Sequence, residues 1–219
     1  MAPGSDNKNS PAFQATWAIA LAADSPVLVV PWHDDSGCLA FVDLYRHPER
    51  ITDIPETLHQ PALTRALQQL NAPDSPWATA KCDRWLLDEE DLDAAALDLA
   101  LARDTRFAHA GIGSYVDFYH RDTALFTSLQ HHRELLIRLA QVAMQPPPAQ
   151  HAPATALLEL TLRRCIANGR DGFSITAFLY AIGQDAARAQ ANWSAALGAL
   201  TQILHDEGDT LKPATGVVG

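Results

Sequence analysis

Apolar and polar positions along this chain follow two rhythms, and each change of rhythm marks an element. From Phe13 to Leu21 the period is two, with Trp17, Ile19 and Leu21 on one side, which predicts a strand. Asp24-Ser25-Pro26 turns the chain, and Val27 to Trp32 is an unbroken apolar run suited to a strand covered on both faces. His33-Asp34-Asp35-Ser36-Gly37 has hairpin-turn chemistry, so Cys38 to Tyr45 is expected to return as a third adjacent antiparallel strand. A polar loop with Pro48 and Pro55 follows. Pro61 then opens a helix whose Leu63, Leu67 and Leu70 form a stripe at helical spacing. Trp77 to Leu87 returns to period two, with Ala78, Ala80 and Cys82 opposed to a wet face of Thr79, Lys81 and Asp83. Asp88 is the expected N-cap of a helix carrying Leu92, Ala96 and Leu99 inward.

The order then begins again. Arg103-Asp104-Thr105 reads as a boundary, and a short strand is expected near Phe107. Tyr115 to Tyr119 is a strand, and Asp122 caps what reads as the longest helix, to about Met144, striped by Leu125, Leu129, Leu136 and Leu139. Pro146-Pro147-Pro148 marks an exposed connection. Ala156, Leu158, Leu160 and Leu162 alternate along the next strand, Asn168 to Gly172 is a hairpin loop, and Phe173 to Ile182 returns. Asp185 caps a final helix with Trp193, Leu197, Leu200 and Leu204 facing in.

Two pentads stand at matching places in this order. Phe41-Val42-Asp43-Leu44-Tyr45 and Tyr115-Val116-Asp117-Phe118-Tyr119 are each aromatic, aliphatic, Asp, apolar, Tyr. Together with the repeated order of elements they point to an internal duplication. The expected fold is therefore α+β, with a mostly antiparallel sheet, helices on one face, and two ferredoxin-like halves. A tail over 1–12, repeats over 13–103 and 104–206, and a tail over 207–219 would complete it.

Composition narrows the function by exclusion. A net charge of -10 argues against nucleic acid and against an anionic membrane surface, and leaves a basic protein partner compatible. No apolar run approaches the ~18 residues of a membrane span. The stretch ending in Ala20-Leu21-Ala22 loosely resembles a cleavable signal, but Asp6, Gln14 and Thr16 spoil it, so a strand in a cytoplasmic protein is the expectation. Cys38, Cys82 and Cys165 are scattered and predict neither disulfides nor a zinc site. His131 and His132 point about 100° apart on a helix and cannot easily chelate together. His132 falls on the apolar row as a core residue, with His131 in solvent. Neither a metal nor a cofactor is expected.

Alternation puts Phe41, Asp43 and Tyr45 on one strand face, and Tyr115, Asp117 and Tyr119 on another. With helices covering the aliphatic faces, both sets would look out from the uncovered side and could meet in one aromatic, acidic cleft. The preferred reading is a non-catalytic soluble protein that binds a small ligand or partner protein there, with homo-oligomerisation open. The alternative is a small metal-independent enzyme using Asp43 and Asp117 as acid and base. In the preferred reading each Asp is structural, and replacing either by Asn is expected to destabilise additively.

Overall fold

The computed structural model describes residues 13–34, 36–99, 109–144 and 155–210. Its strands are β1 (Phe13–Ala20), β2 (Leu28–Val30), β3 (Trp77–Leu86), β4 (Ala110–His120), β5 (Ala156–Ala167) and β6 (Arg170–Gly183). Its helices are α1 (Pro61–Leu70), α2 (Glu89–Asp98), α3 (Thr123–Thr127), α4 (Leu129–Ala143) and α5 (Ala186–Thr210), with two short 3-10 turns over 48–57.

The sheet grows from the β5–β6 hairpin. Asn168 and Gly169 both hold positive φ, 51° and 75°, as a two-residue turn matched to strand twist requires. β4 pairs antiparallel with β6, and β3 with β4. On the other side of β5 run β1 and then β2, both parallel to it, giving the order β1-β5-β6-β4-β3 with β2 beyond β1 along β5. The fold is mixed α+β around one six-stranded, mostly antiparallel sheet.

The apolar stripes decide which face is core. Leu63, Leu67, Leu135, Leu136, Leu139, Trp193, Leu197 and Leu204, from α1, α4 and α5, bury against Val116, Phe118, Leu158, Leu160, Ile175 and Leu179 of the sheet. Among the described residues the opposite face is covered only at its ends. At one end Ala95, Ala96 and Leu99, in and just after α2, pack on Leu157 and Ile182. At the other, Phe126 of α3 joins Leu28, Val30, Ala80, Cys165 and Ala167. Helices therefore lie on both faces, unequally.

Several sequence expectations are corrected. Cys38–Tyr45 is not a strand: it meets the preceding segment at a single bridge, His33 to Ala40, beside the Phe41 N–H bonded to the Trp32 carbonyl at 2.8 Å. The Asp43 carboxylate then accepts the Arg46 N–H at 3.1 Å and bends the chain toward Pro48. β1 and β2 do not form an antiparallel group. Arg164 donates to the carbonyls of Ala22, Ala23 and Ser25, which holds their link as a jog along β5 rather than a reversal. The helix from Asp122 is two helices: Ser128 is extended, and its hydroxyl accepts the His131 N–H at 3.2 Å to restart the chain as α4. Among the described residues the longest helix is α5.

The duplication fails by the same observation. Tyr115–Tyr119 lies within β4, whereas Phe41–Tyr45 is loop and turn, so the pentads are not equivalent. The strands expected in the first repeat also pair with those of the second, β1 and β2 with β5, and β3 with β4. The boundary at 103–105, the strand near Phe107, the proline run and the tail over 1–12 lie outside the described residues. The tail expected over 207–219 begins inside α5, which continues to Thr210, and 211–219 lie outside the described residues.

Candidate binding face

β4 is an inner strand, so its pleat sends alternate side chains to the two layers. Val116 and Phe118 enter the helix-covered core, and Tyr115, Asp117 and Tyr119 turn to the opposite face. Asp117 sits midway along it and is 4% exposed. Directly across on β6 is Thr176, whose hydroxyl donates to the Asp117 carboxylate. Burial pushes the Asp117 carboxyl above its ordinary range, against the Thr176 bond and the positive charges of Arg163 and Lys81.

On its other side β3 breaks register. Thr79 pairs with Phe118 and Cys82 with Val116, so Ala80 and Lys81 together oppose Asp117 in a bulge. One extra residue reverses the parity of the strand. Thr79 therefore faces the helix layer, where its N–H and hydroxyl bond the Asn71 side chain, while Asp83 and Trp85 share the face of Tyr115. The expected wet face of Thr79, Lys81 and Asp83 is split by this bulge. Lys81 lies over the Trp32 ring at 4.8 Å and lines a cavity of about 250 Å³ at the β3 edge with Trp32, Val42, Ile54 and Cys82.

Four strands contribute to a row beside Asp117, three of them giving rings and the fourth a guanidinium. Trp85 of β3 lies 6.4 Å from Tyr115 of β4, Tyr115 lies 5.7 Å from Phe178 of β6, and the Arg163 guanidinium of β5 is 5.6 Å from the Phe178 ring. Tyr180 meets Trp85 edge-on at 6.2 Å. These rings are half-buried, and Gly113 makes room for the row because a Cβ there would stand 2.4 Å from the Trp85 indole.

The first pentad meets this face only at one end. Phe41 packs with Tyr119 and Phe126 in the α3-side cluster, and Tyr45 lies 3.9 Å from the Arg121 guanidinium. Asp43 is in an exposed turn with Arg46, at 3.7 Å. Asp43 is held in this turn by Arg46 while Asp117 is buried in the sheet against Thr176, so the carboxylates are not a pair. Tyr115, Asp117, Tyr119 and Phe41 share the face; Asp43 and Tyr45 border it. Sequence reasoning missed Trp85, Arg163, Thr176, Phe178 and Tyr180, which reach the face through strand register. The alternation of Phe178 and Tyr180 with core residues was the available signal.

Two thiols and two tyrosine hydroxyls on or near this face are held neutral by burial. Burial pushes the Cys82 and Cys165 thiols and the Tyr115 and Tyr119 hydroxyls up to about 12, so none is a ready nucleophile at neutral pH. Three histidines meet where β4 ends. His120 Nε2 lies 2.8 Å from His131 Nε2, His120 stacks on Trp77 at 4.2 Å, and His132 Nδ1 bonds the Ser128 carbonyl at 2.9 Å. His131 is thus not the solvated residue the helix pattern implies. Among the described residues no group of three His, Cys, Asp or Glu side chains is placed to hold a metal ion. No described helix is long and apolar enough to cross a membrane. Compared with known proteins, the chain matches no family model, no curated protein and no solved structure.

Proposed function

We propose that the protein is a non-catalytic binding protein, and that it recognises a partner polypeptide through the sheet face centred on Tyr115 and Asp117. The observation that carries this reading is the ring row from Trp85 through Tyr115 to Phe178, ending at Arg163, on a face that the described helices cover only at its ends. Aromatic side chains and arginine are the residue types that interface centres concentrate, because they offer large contact area at little conformational cost. The bulge beside them sets Lys81 and the Trp32-lined cavity at the rim, where a protruding side chain of the partner would seat. Asp83 and Glu159 near the row and a net charge of -10 favour a partner with basic residues.

The enzyme alternative needs two carboxylates at one centre. Asp43 lies in an exposed turn and Asp117 beneath the ring row, so nothing in the geometry favours it. Affinity capture with the wild type and with Tyr115→Ala, Trp85→Ala and Phe178→Ala tests the binding reading. A partner held by the wild type and lost from each variant is expected. Capture unaffected by all three variants would refute the face.

A further inference from the structure

The two edges of the sheet are built differently. Along β3 the outward groups are occupied or guarded. The Trp77 N–H donates to the Ser75 hydroxyl, the Thr79 N–H to Asn71, and the Ala80 carbonyl accepts the Trp32 indole. The bulge and the charges of Lys81, Asp83 and Arg84 add the devices that keep an edge from pairing with another strand.

Among the described residues the β1 edge shows none of these. β1 runs eight residues, and among the described residues it has a strand on one side only, β5. It holds no charge and no proline. From Phe13 to Trp32 the only charged residue is Asp24, in the jog between β1 and β2. The large apolar side chains along this edge are open: Trp17 is 49% exposed, Ile19 40% and Val29 48%. A long, uncharged, β-forming edge of this kind pairs with another strand.

From this contrast we infer that β1 is a dimerisation edge, pairing antiparallel with β1 of a second copy about a twofold axis so that the two sheets become one. A second copy fits for two reasons. An antiparallel strand pair is self-complementary, as a twofold contact demands. And two chains each carrying -10 repel one another unless they meet where charge is absent, which along the sheet margins is β1 and not β3. Trp17 and Ile19 of the two copies then cover each other beside α4. This surface is separate from the ring row on the opposite face.

Analytical ultracentrifugation of the full chain, with Trp17→Lys and Ile19→Lys, tests the inference. Both side chains are open in the single copy, so the fold survives, which far-UV circular dichroism verifies. The expected result is a wild-type dimer, and a monomer with an unchanged spectrum for the double variant. Deuterium exchange of the β1 amides is expected to slow in the dimer and quicken in the variant. A wild type that is monomeric throughout, a dimer indifferent to both lysines, or open-ended growth beyond the dimer would each overturn the inference. So would protection of β1 only by a different protein.

Discussion

Asp117 shows how one residue changes meaning once its neighbours are known. In the sequence it is one of two aspartates in matching pentads, and a charge-assisted structural bond is the natural expectation. In the fold it is buried across from Thr176, and burial lifts its carboxyl above the ordinary range. A carboxyl raised in the folded state binds its proton more tightly there than in the unfolded chain. Its contribution is therefore full at low pH and is lost as pH rises. Asp117→Asn keeps the acceptor for Thr176 and removes that loss. At neutral pH, urea unfolding is expected to show stability unchanged or raised, and a cost above about 1 kcal/mol would instead reveal an ionised, paired carboxylate. Asp43→Asn keeps the acceptor for the Arg46 N–H and gives up only an exposed ion pair with Arg46, and the two changes are expected to add.

The histidines titrate in the opposite sense. Burial lowers His120 to about 3 and His132 to about 4, and brings His131 below its usual value. Arg138 of α4 also lowers His131, while Glu134 of α4 and Glu207 of α5 oppose the shift. The unfolded chain takes up these protons near the ordinary 6.5 and the folded one does not, so stability is complete above pH 6.5 and falls below it. A histidine titrating alone with this shift costs about 2 kcal/mol by pH 5. Urea unfolding between those two pH values is expected to show a steep loss, and His120→Gln is expected to flatten it. An equal slope in the variant would remove the cluster from the acid response.

At the scale of elements, the strongly periodic pieces were legible. The leucine stripe after Pro61, the Asn168-Gly169 turn and the cap at Asp185 all signal locally, and each forms as its local chemistry requires. What escaped was set by distant partners. The Phe41 pentad has strand composition, yet the Asp43 turn takes it out of the sheet. The bulge at Ala80 and Lys81 leaves no mark in the sequence, and without it one side of β3 is assigned to the wrong face. The parallel pairing of β1 with β5 joins residues far apart in the chain, which no local pattern encodes. The ring row was hidden for the same reason, since it needs the register of four strands.

Gly113 tests that register directly. Gly113→Ala places a methyl group in the Trp85 ring, so Trp85 must leave the row. A loss of about 1–3 kcal/mol in urea unfolding is expected, with red-shifted tryptophan emission. Gly198, inside α5, is the contrasting site: a Cβ there meets nothing, and Gly198→Ala is expected to gain up to about 1 kcal/mol. Equal effects at the two glycines would contradict the packing of Trp85 on Gly113.

For the whole molecule, the unequal covering of one sheet is the governing feature. Among the described residues α1, α4 and α5 close one face into the main core, α2 and α3 pin the ends of the other, and a ring row with a buried carboxyl beside it occupies the middle. We place recognition on that middle. Photo-crosslinking inside cells tests the placement whatever polypeptide the partner is. A benzophenone amino acid replaces Phe178 or Tyr115 on the ring row, or Ile137, which is open on the helix layer. Discrete adducts of one mass from positions 178 and 115, absent at 137, are the predicted result. Adducts confined to position 137, or none from the ring row, would contradict a binding role for this face.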